Sequence, residues 1–94
     1  MAIFGDLLSG KLRAEMKQRV DEILKCGEQW DKTARELVEA LNKLTDAVQT
    51  GNVDLSSVRP VARGSKKLSK ETRNLAQAFI NHRAFLEKIL TRFG

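Results

Sequence analysis

The sequence is short of the residues that mark secreted and membrane proteins. It has a single cysteine, Cys26, so an internal disulfide is impossible and a small secreted domain stapled by disulfides is excluded. No stretch approaches the roughly 18 apolar residues of a membrane-spanning helix. Residues 1–8 contain Asp6 and no basic residue, and their apolar run is too short for a signal peptide. We therefore expect a cytoplasmic protein.

Residues that favour β-sheets are also scarce. Tyrosine is absent, and tryptophan occurs once, as Trp30. Few β-branched residues lie outside the helical patterns described below, which argues against a sheet. A composition of 41% hydrophobic and 31% charged residues is typical of a folded chain and not of a disordered one. With 94 residues, the chain predicts one all-α domain over 1–94.

The sequence also lacks the patterns of known chemical sites. There is no phosphate-binding glycine loop, nucleophile elbow, zinc spacing or calcium loop. His82, the only histidine, and Cys26 are interpreted as bundle residues, and Trp30 as a core residue. We predict no catalytic, cofactor-binding or metal-binding residues, no small-molecule substrate and no enzymatic activity.

An apolar series with alternating spacings of four and three residues runs through the first half of the chain. It consists of Met16, Val20, Ile23, Gly27, Trp30, Ala34, Leu37, Leu41, Leu44 and Val48. This heptad spacing predicts a helix over 11–50 that packs lengthwise on another helix. Ser9 is a candidate N-cap, and Gly51 is a candidate C′ residue that ends the helix.

The second half repeats the heptad spacing after an expected loop. Its series consists of Leu68, Thr72, Leu75, Phe79, His82, Leu86, Ile89 and Phe93, which predicts a helix over 65–93. Residues 51–64 are predicted to form a basic loop, with one helical turn opened by Asp54 and ended by Pro60. Residues 1–9 are predicted to form a short amphipathic turn.

The apolar stripes are wider than one helix–helix seam. Leu24 and Val38 widen the first stripe, and Ile80 and Leu90 widen the second. A wide stripe needs more than one neighbour. We therefore expect a long antiparallel helical hairpin with coiled-coil-like packing, completed either as a dimeric four-helix bundle or as a three-helix bundle with a break near Gly27. The unbroken heptad phase through Gly27 favours the dimer.

Charge is distributed unevenly along the chain. Residues 1–50 contain eight Lys/Arg and nine Asp/Glu, whereas residues 51–94 contain nine and three. Six of the basic residues lie within 59–73, with one acid among them. These candidate contacts for a partner or for phosphate groups are Arg59, Arg63, Lys66, Lys67, Lys70 and Arg73.

Three functional hypotheses follow from these features. The leading one is a non-catalytic helical interaction module (an adaptor, regulator or assembly subunit) that binds a protein partner or itself. The second is a nucleic-acid-associated protein that uses the 59–73 cluster for phosphate contacts. The third and weakest is attachment to a membrane surface through Ile3, Phe4, Leu7 and Leu8.

Overall fold

The computed structural model describes residues 10–93, which form two long helices. Helix α1 spans Gly10–Thr50 and helix α2 spans Leu55–Phe93. They pack antiparallel as a hairpin with extents of 66 × 22 × 19 Å. No strand occurs in the described residues, so the prediction of an all-α helical hairpin is confirmed. The predicted turn at residues 1–9 and the Ser9 cap lie outside the described part of the chain.

Helix α1 ends at the predicted glycine. Gly51 has a φ of +75°, in the left-handed region that residues with a side chain seldom adopt. Its amide donates to the Val48 carbonyl at 3.2 Å, and the Asn52 amide donates to the Ala47 carbonyl at 2.9 Å. These two bonds form a Schellman motif, which satisfies carbonyls at the helix end. Gly51 therefore terminates α1 and turns the chain towards α2.

Helix α2 begins ten residues earlier than predicted, so the predicted loop over 51–64 is wrong. The Asp54 carboxylate accepts hydrogen bonds from the Ser57 amide and from the hydroxyls of Ser56 and Ser57, and so caps the helix start. These bonds lower the pKa of Asp54, those to the Ser56 hydroxyl and the Ser57 amide most strongly. Pro60 then lies inside α2. It removes one backbone donor near the helix start, where the Ser56 carbonyl it would have paired with belongs to an exposed residue.

Helix α1 is continuous through Gly27, so a third helix produced by a break at that residue is not formed. A Cβ atom added at Gly27 would meet only the Leu75 side chain, at 4.0 Å. Gly64 of α2 is tighter, since a Cβ atom there would lie 3.0 Å from Leu37 Cδ1 and 3.8 Å from Leu37 Cα. The two helices thus approach each other closely where Gly64 lies against Leu37.

The residues between the two helices differ in part from the predicted seams. Trp30 and Leu75 lie at the contact as expected, but Val20, Leu41 and Phe79 are exposed. Arg19, Ala40 and Ala78, each one residue earlier in the sequence, take their places. The observed seam, half-buried or buried throughout, comprises Met16, Arg19, Ile23, Cys26, Trp30, Thr33, Leu37, Ala40, Leu44 and Ala47 of α1, and Ser57, Val61, Gly64, Leu68, Glu71, Leu75, Ala78, His82, Phe85 and Ile89 of α2. In each helix, every second position of the observed seam lies one residue earlier than predicted. The reason is that a wide apolar stripe contains two possible seams.

Candidate interaction surfaces

The seam divides the hairpin into two broad faces. In each helix, residues that directly follow a seam residue lie on one flank, and residues that directly precede a seam residue lie on the other. Because the helices are antiparallel, the residues that directly follow the seam in α1 and in α2 lie on the same broad side of the hairpin. The preceding residues share the opposite side. A groove on that opposite side confirms the pairing, since Glu36 of α1 and Arg63 and Lys67 of α2 line it together.

The side formed by the residues that directly follow seam residues is an exposed apolar face. Nine of the eleven large hydrophobic side chains that are exposed among the described residues lie on it. We call this surface the apolar face, defined by Val20, Leu24, Val38, Leu41, Val48, Leu55, Val58, Phe79 and Leu90. Eight of these directly follow a seam residue, and Leu55 lies one turn before Val58 on the same side of α2. The two others are Val53, in the loop, and Ile80, on the back of α2. Exposed apolar side chains are ordinary when they occur singly, but grouped on one face they mark an interaction surface.

The hairpin by itself buries very little apolar side chain. Among the described residues, Ala78 is the only hydrophobic residue in the buried class, at 7% exposure. The chain exposes 7441 Å², about 2,000 Å² more than the roughly 5,500 Å² expected of a compact monomer of 10.6 kDa. The apolar core that normally stabilises a domain of this size is therefore missing from a single hairpin.

The opposite side is the polar face. We define it by Glu15, Glu22, Gln29, Glu36, Lys43, Lys67, Asn74, Asn81 and Lys88, each of which directly precedes a seam residue. A second groove, lined by Glu15, Arg19, Asn81 and Lys88 among others, lies on this side. Pro60 and Ala84 are the only apolar residues at such positions along the seam. This face is suited to water and requires no cover.

The six predicted contact residues lie together on α2 and not in a loop. Arg59, Arg63, Lys66, Lys67, Lys70 and Arg73 are all exposed, and they follow the outer side of the helix over about 21 Å. We call them the basic stripe. None of them forms an ion pair among the described residues. The one acid within this segment, Glu71, is buried in the seam and does not face outward.

His82 belongs to a polar cluster that crosses the seam. It is 8% exposed, and its Nε2 lies 2.5 Å from Glu22 Oε2. Its Nδ1 lies 3.2 Å from a guanidinium nitrogen of Arg19, which can only donate. Nδ1 therefore accepts, and Nε2 carries the proton that it donates to Glu22. Arg19 also bonds Glu15 at 3.1 Å and lies 4.1 Å from the centre of the Phe85 ring.

A second polar cluster surrounds Glu71. Its Oε1 accepts from Gln29 at 3.1 Å. Thr33, 1% exposed, is nearby, although its hydroxyl and Glu71 Oε2 make no hydrogen bond of standard geometry. The Thr33 hydroxyl is nonetheless the largest cause that lowers the pKa of Glu71, ahead of Gln29 and of the charges of Lys67 and Lys70, while burial opposes it. Thr72, the residue after Glu71, accepts a hydrogen bond from the Trp30 indole N–H at 2.8 Å.

These two clusters connect the helices across the seam. Residues 10–93 contain no group of three or more His, Cys, Asp or Glu side chains placed to hold a metal ion. Cys26 is a free thiol at the seam. Neither helix, over the residues described, is long and apolar enough to cross a membrane. The residues proposed for membrane attachment, 1–8, lie outside this region.

Sequence reasoning identified the wide stripes but not which flank faces outward. The relevant signal was the placement of Arg19, Glu71 and His82 at heptad positions, where they complement polar residues of the other helix. Scans against protein-family models found no match, and neither did searches of curated proteins and of solved structures.

Proposed function

We propose that the protein is a non-catalytic helical interaction module that binds another helical surface through its apolar face. The observation that supports this most strongly is the grouping of nine exposed large hydrophobic side chains on one side of the hairpin. A helix laid along such a face is bound by the hydrophobic side chains at its own heptad positions. The free thiol of Cys26 is compatible with the reducing cytoplasm in which we place the protein.

Two neighbouring residues provide a matched test of this function. Phe79 lies on the apolar face and is 54% exposed, and Ile80 lies on the back of α2 and is 64% exposed. Phe79→Glu and Ile80→Glu therefore add the same charge at adjacent positions. We expect wild type and Ile80→Glu to self-associate or to retain the same proteins from an extract of the source cells, and Phe79→Glu to do neither. If all three variants are monomeric and retain identical sets of proteins, the proposal is wrong.

A second candidate function is phosphate contact along the basic stripe. The supporting observation is that six exposed cations lie on one side of α2 without an ion pair among the described residues. Because phosphate contacts release counterions, binding of a labelled DNA or RNA duplex should weaken steeply with salt.

The test for the basic stripe uses two triple variants of equal charge. One replaces Lys66, Lys67 and Lys70 with Ala, and the control replaces Lys25, Lys32 and Lys43 of α1 with Ala. Fluorescence anisotropy should show that only the first reduces the slope of log affinity against log salt, by about 0.9 for each phosphate that the variant no longer neutralises. Equal slopes for the two variants would exclude this function.

A further inference from the structure

We infer that the apolar face is covered by a second copy of this chain, laid antiparallel so that the two loops lie at opposite ends of a four-helix bundle. This inference rests on the proposed function and names its partner. The first argument is that the hairpin buries almost no hydrophobic side chain completely. It needs a cover whenever it is folded, and a second copy is the one partner that is always made with it.

The area of exposed surface is sufficient for such a dimer. A standard protein interface takes roughly 800 Å² from each partner. One broad side of a hairpin 66 Å long and 22 Å wide is larger than that requirement. Two hairpins packed face to face form the arrangement of a four-helix bundle, in which each helix has two neighbours and buries a stripe wider than one seam.

The shape of the apolar face is self-complementary. Its large side chains are concentrated towards the two ends, with Val48 and Val58 near the loop and Leu24 and Leu90 in the opposite half. The centre is lined by the small residues Gly27, Ala34, Ser69, Thr72 and Ala76, and by Asp31, whose carboxylate pairs with Arg35 at 3.0 Å. In an antiparallel dimer the loop half of one copy packs on the opposite half of the other, and the small central residues allow close approach.

Charge selects the antiparallel arrangement. The end of the hairpin away from the loop, residues 11–19 and 83–92, has seven basic residues and two acids. The loop end, residues 43–63, has three basic residues and two acids. A parallel dimer would place the two strongly basic ends side by side, whereas the antiparallel dimer separates them by the length of the hairpin. The basic stripe lies on the outer side of α2 and stays exposed in this dimer.

The orientation is tested by disulfide cross-linking in a Cys26→Ala background, where each variant has one thiol. Ser69→Cys and Ala76→Cys place the thiol near the centre of the face, and Val48→Cys places it near one end. In the antiparallel dimer residue 69 of one copy lies opposite residue 76 of the other, so the two central variants are mixed before oxidation, while the two copies of residue 48 are about 50 Å apart. We expect oxidation to link the central variants and not the Val48→Cys variant.

Light scattering on the wild-type protein completes the test, with an expected mass of twice the 10.6 kDa chain. Efficient cross-linking at position 48 as well as at the centre would overturn the antiparallel arrangement. A monomeric mass with no cross-link at any position would overturn the second copy as partner. If that monomer still retains a protein that Phe79→Glu does not, this inference fails while the proposed function stands. If it retains none, both fail.

Discussion

The two broad faces of the hairpin are built from the same two helices but have opposite chemistry. Twenty residues directly follow a seam residue, and only Lys17, Asp31 and Arg83 among them are charged. The residues that precede the seam are almost all charged or polar. A shift of two positions along either helix thus separates a surface suited to water from one suited to another protein. This contrast is the observation from which we propose that the hairpin packs against a second helical surface.

The largest expected effect comes from adding one charge to each face. Leu41→Glu places a carboxylate on the apolar face, and Gln77→Glu places one on the polar side. Removing a buried leucine costs roughly 2–3 kcal/mol, and a symmetric dimer contains two copies of it, so Leu41→Glu should weaken association about a thousandfold. Sedimentation equilibrium should show less than a twofold change for Gln77→Glu. Equal effects would mean that the two faces do not differ in function.

The second largest effect concerns the contact between the two helices, because both faces are defined relative to this contact. Gly64→Val adds a branched side chain where a Cβ atom already lies 3.0 Å from Leu37 Cδ1. We expect overpacking to lower the free energy of unfolding by about 1–3 kcal/mol, measured by urea denaturation. An unchanged free energy would contradict the close approach of α2 to α1 at this residue.

A substitution at Gly27 should have a smaller effect on the free energy of unfolding, and in the opposite direction. An added methyl group has room in the hairpin, since its nearest neighbour lies 4.0 Å away. In the Leu41→Glu background, where the apolar face is uncovered, Gly27→Ala should raise the free energy of unfolding by roughly 0.5–1 kcal/mol, because alanine favours the helix. A smaller gain in the wild-type background would indicate that a partner approaches Gly27. Destabilisation in the Leu41→Glu background would contradict the observed space.

The smallest effect concerns pH and the Glu71 cluster. Because the folded protein lowers the pKa of Glu71, the ionised carboxylate stabilises the fold above the ordinary glutamate pKa. That stabilisation disappears as the pH falls below that value. Glu71→Gln should therefore lose less stability than wild type between pH 7 and pH 3.5 in urea titrations. Identical losses would show that Glu71 does not contribute in this way.

The helical hairpin was predictable from sequence because heptad spacing and Gly51 are local signals. The start of α2 was not predictable, because Pro60 is a helix breaker in general, whereas here α2 begins at the Asp54 cap and continues through Pro60. The seam was also misplaced. Hydrophobicity alone cannot choose between two adjacent seams in a wide stripe, and the choice depends on pairs such as Arg19 with His82, whose partners are more than sixty residues apart in sequence. The basic stripe was found by composition, but its position on a helix required the structure.

The most direct test of a covered apolar face is the reactivity of single thiols in the Cys26→Ala background. Val38→Cys lies on the apolar face and Ile80→Cys on the back of α2, and both positions are well exposed in the isolated hairpin. We predict that the thiol at 38 is alkylated at least about tenfold more slowly than the thiol at 80 at high protein concentration, because dimerisation buries it, and that the rates converge on dilution as the dimer dissociates. Equal rates at every concentration would contradict the account.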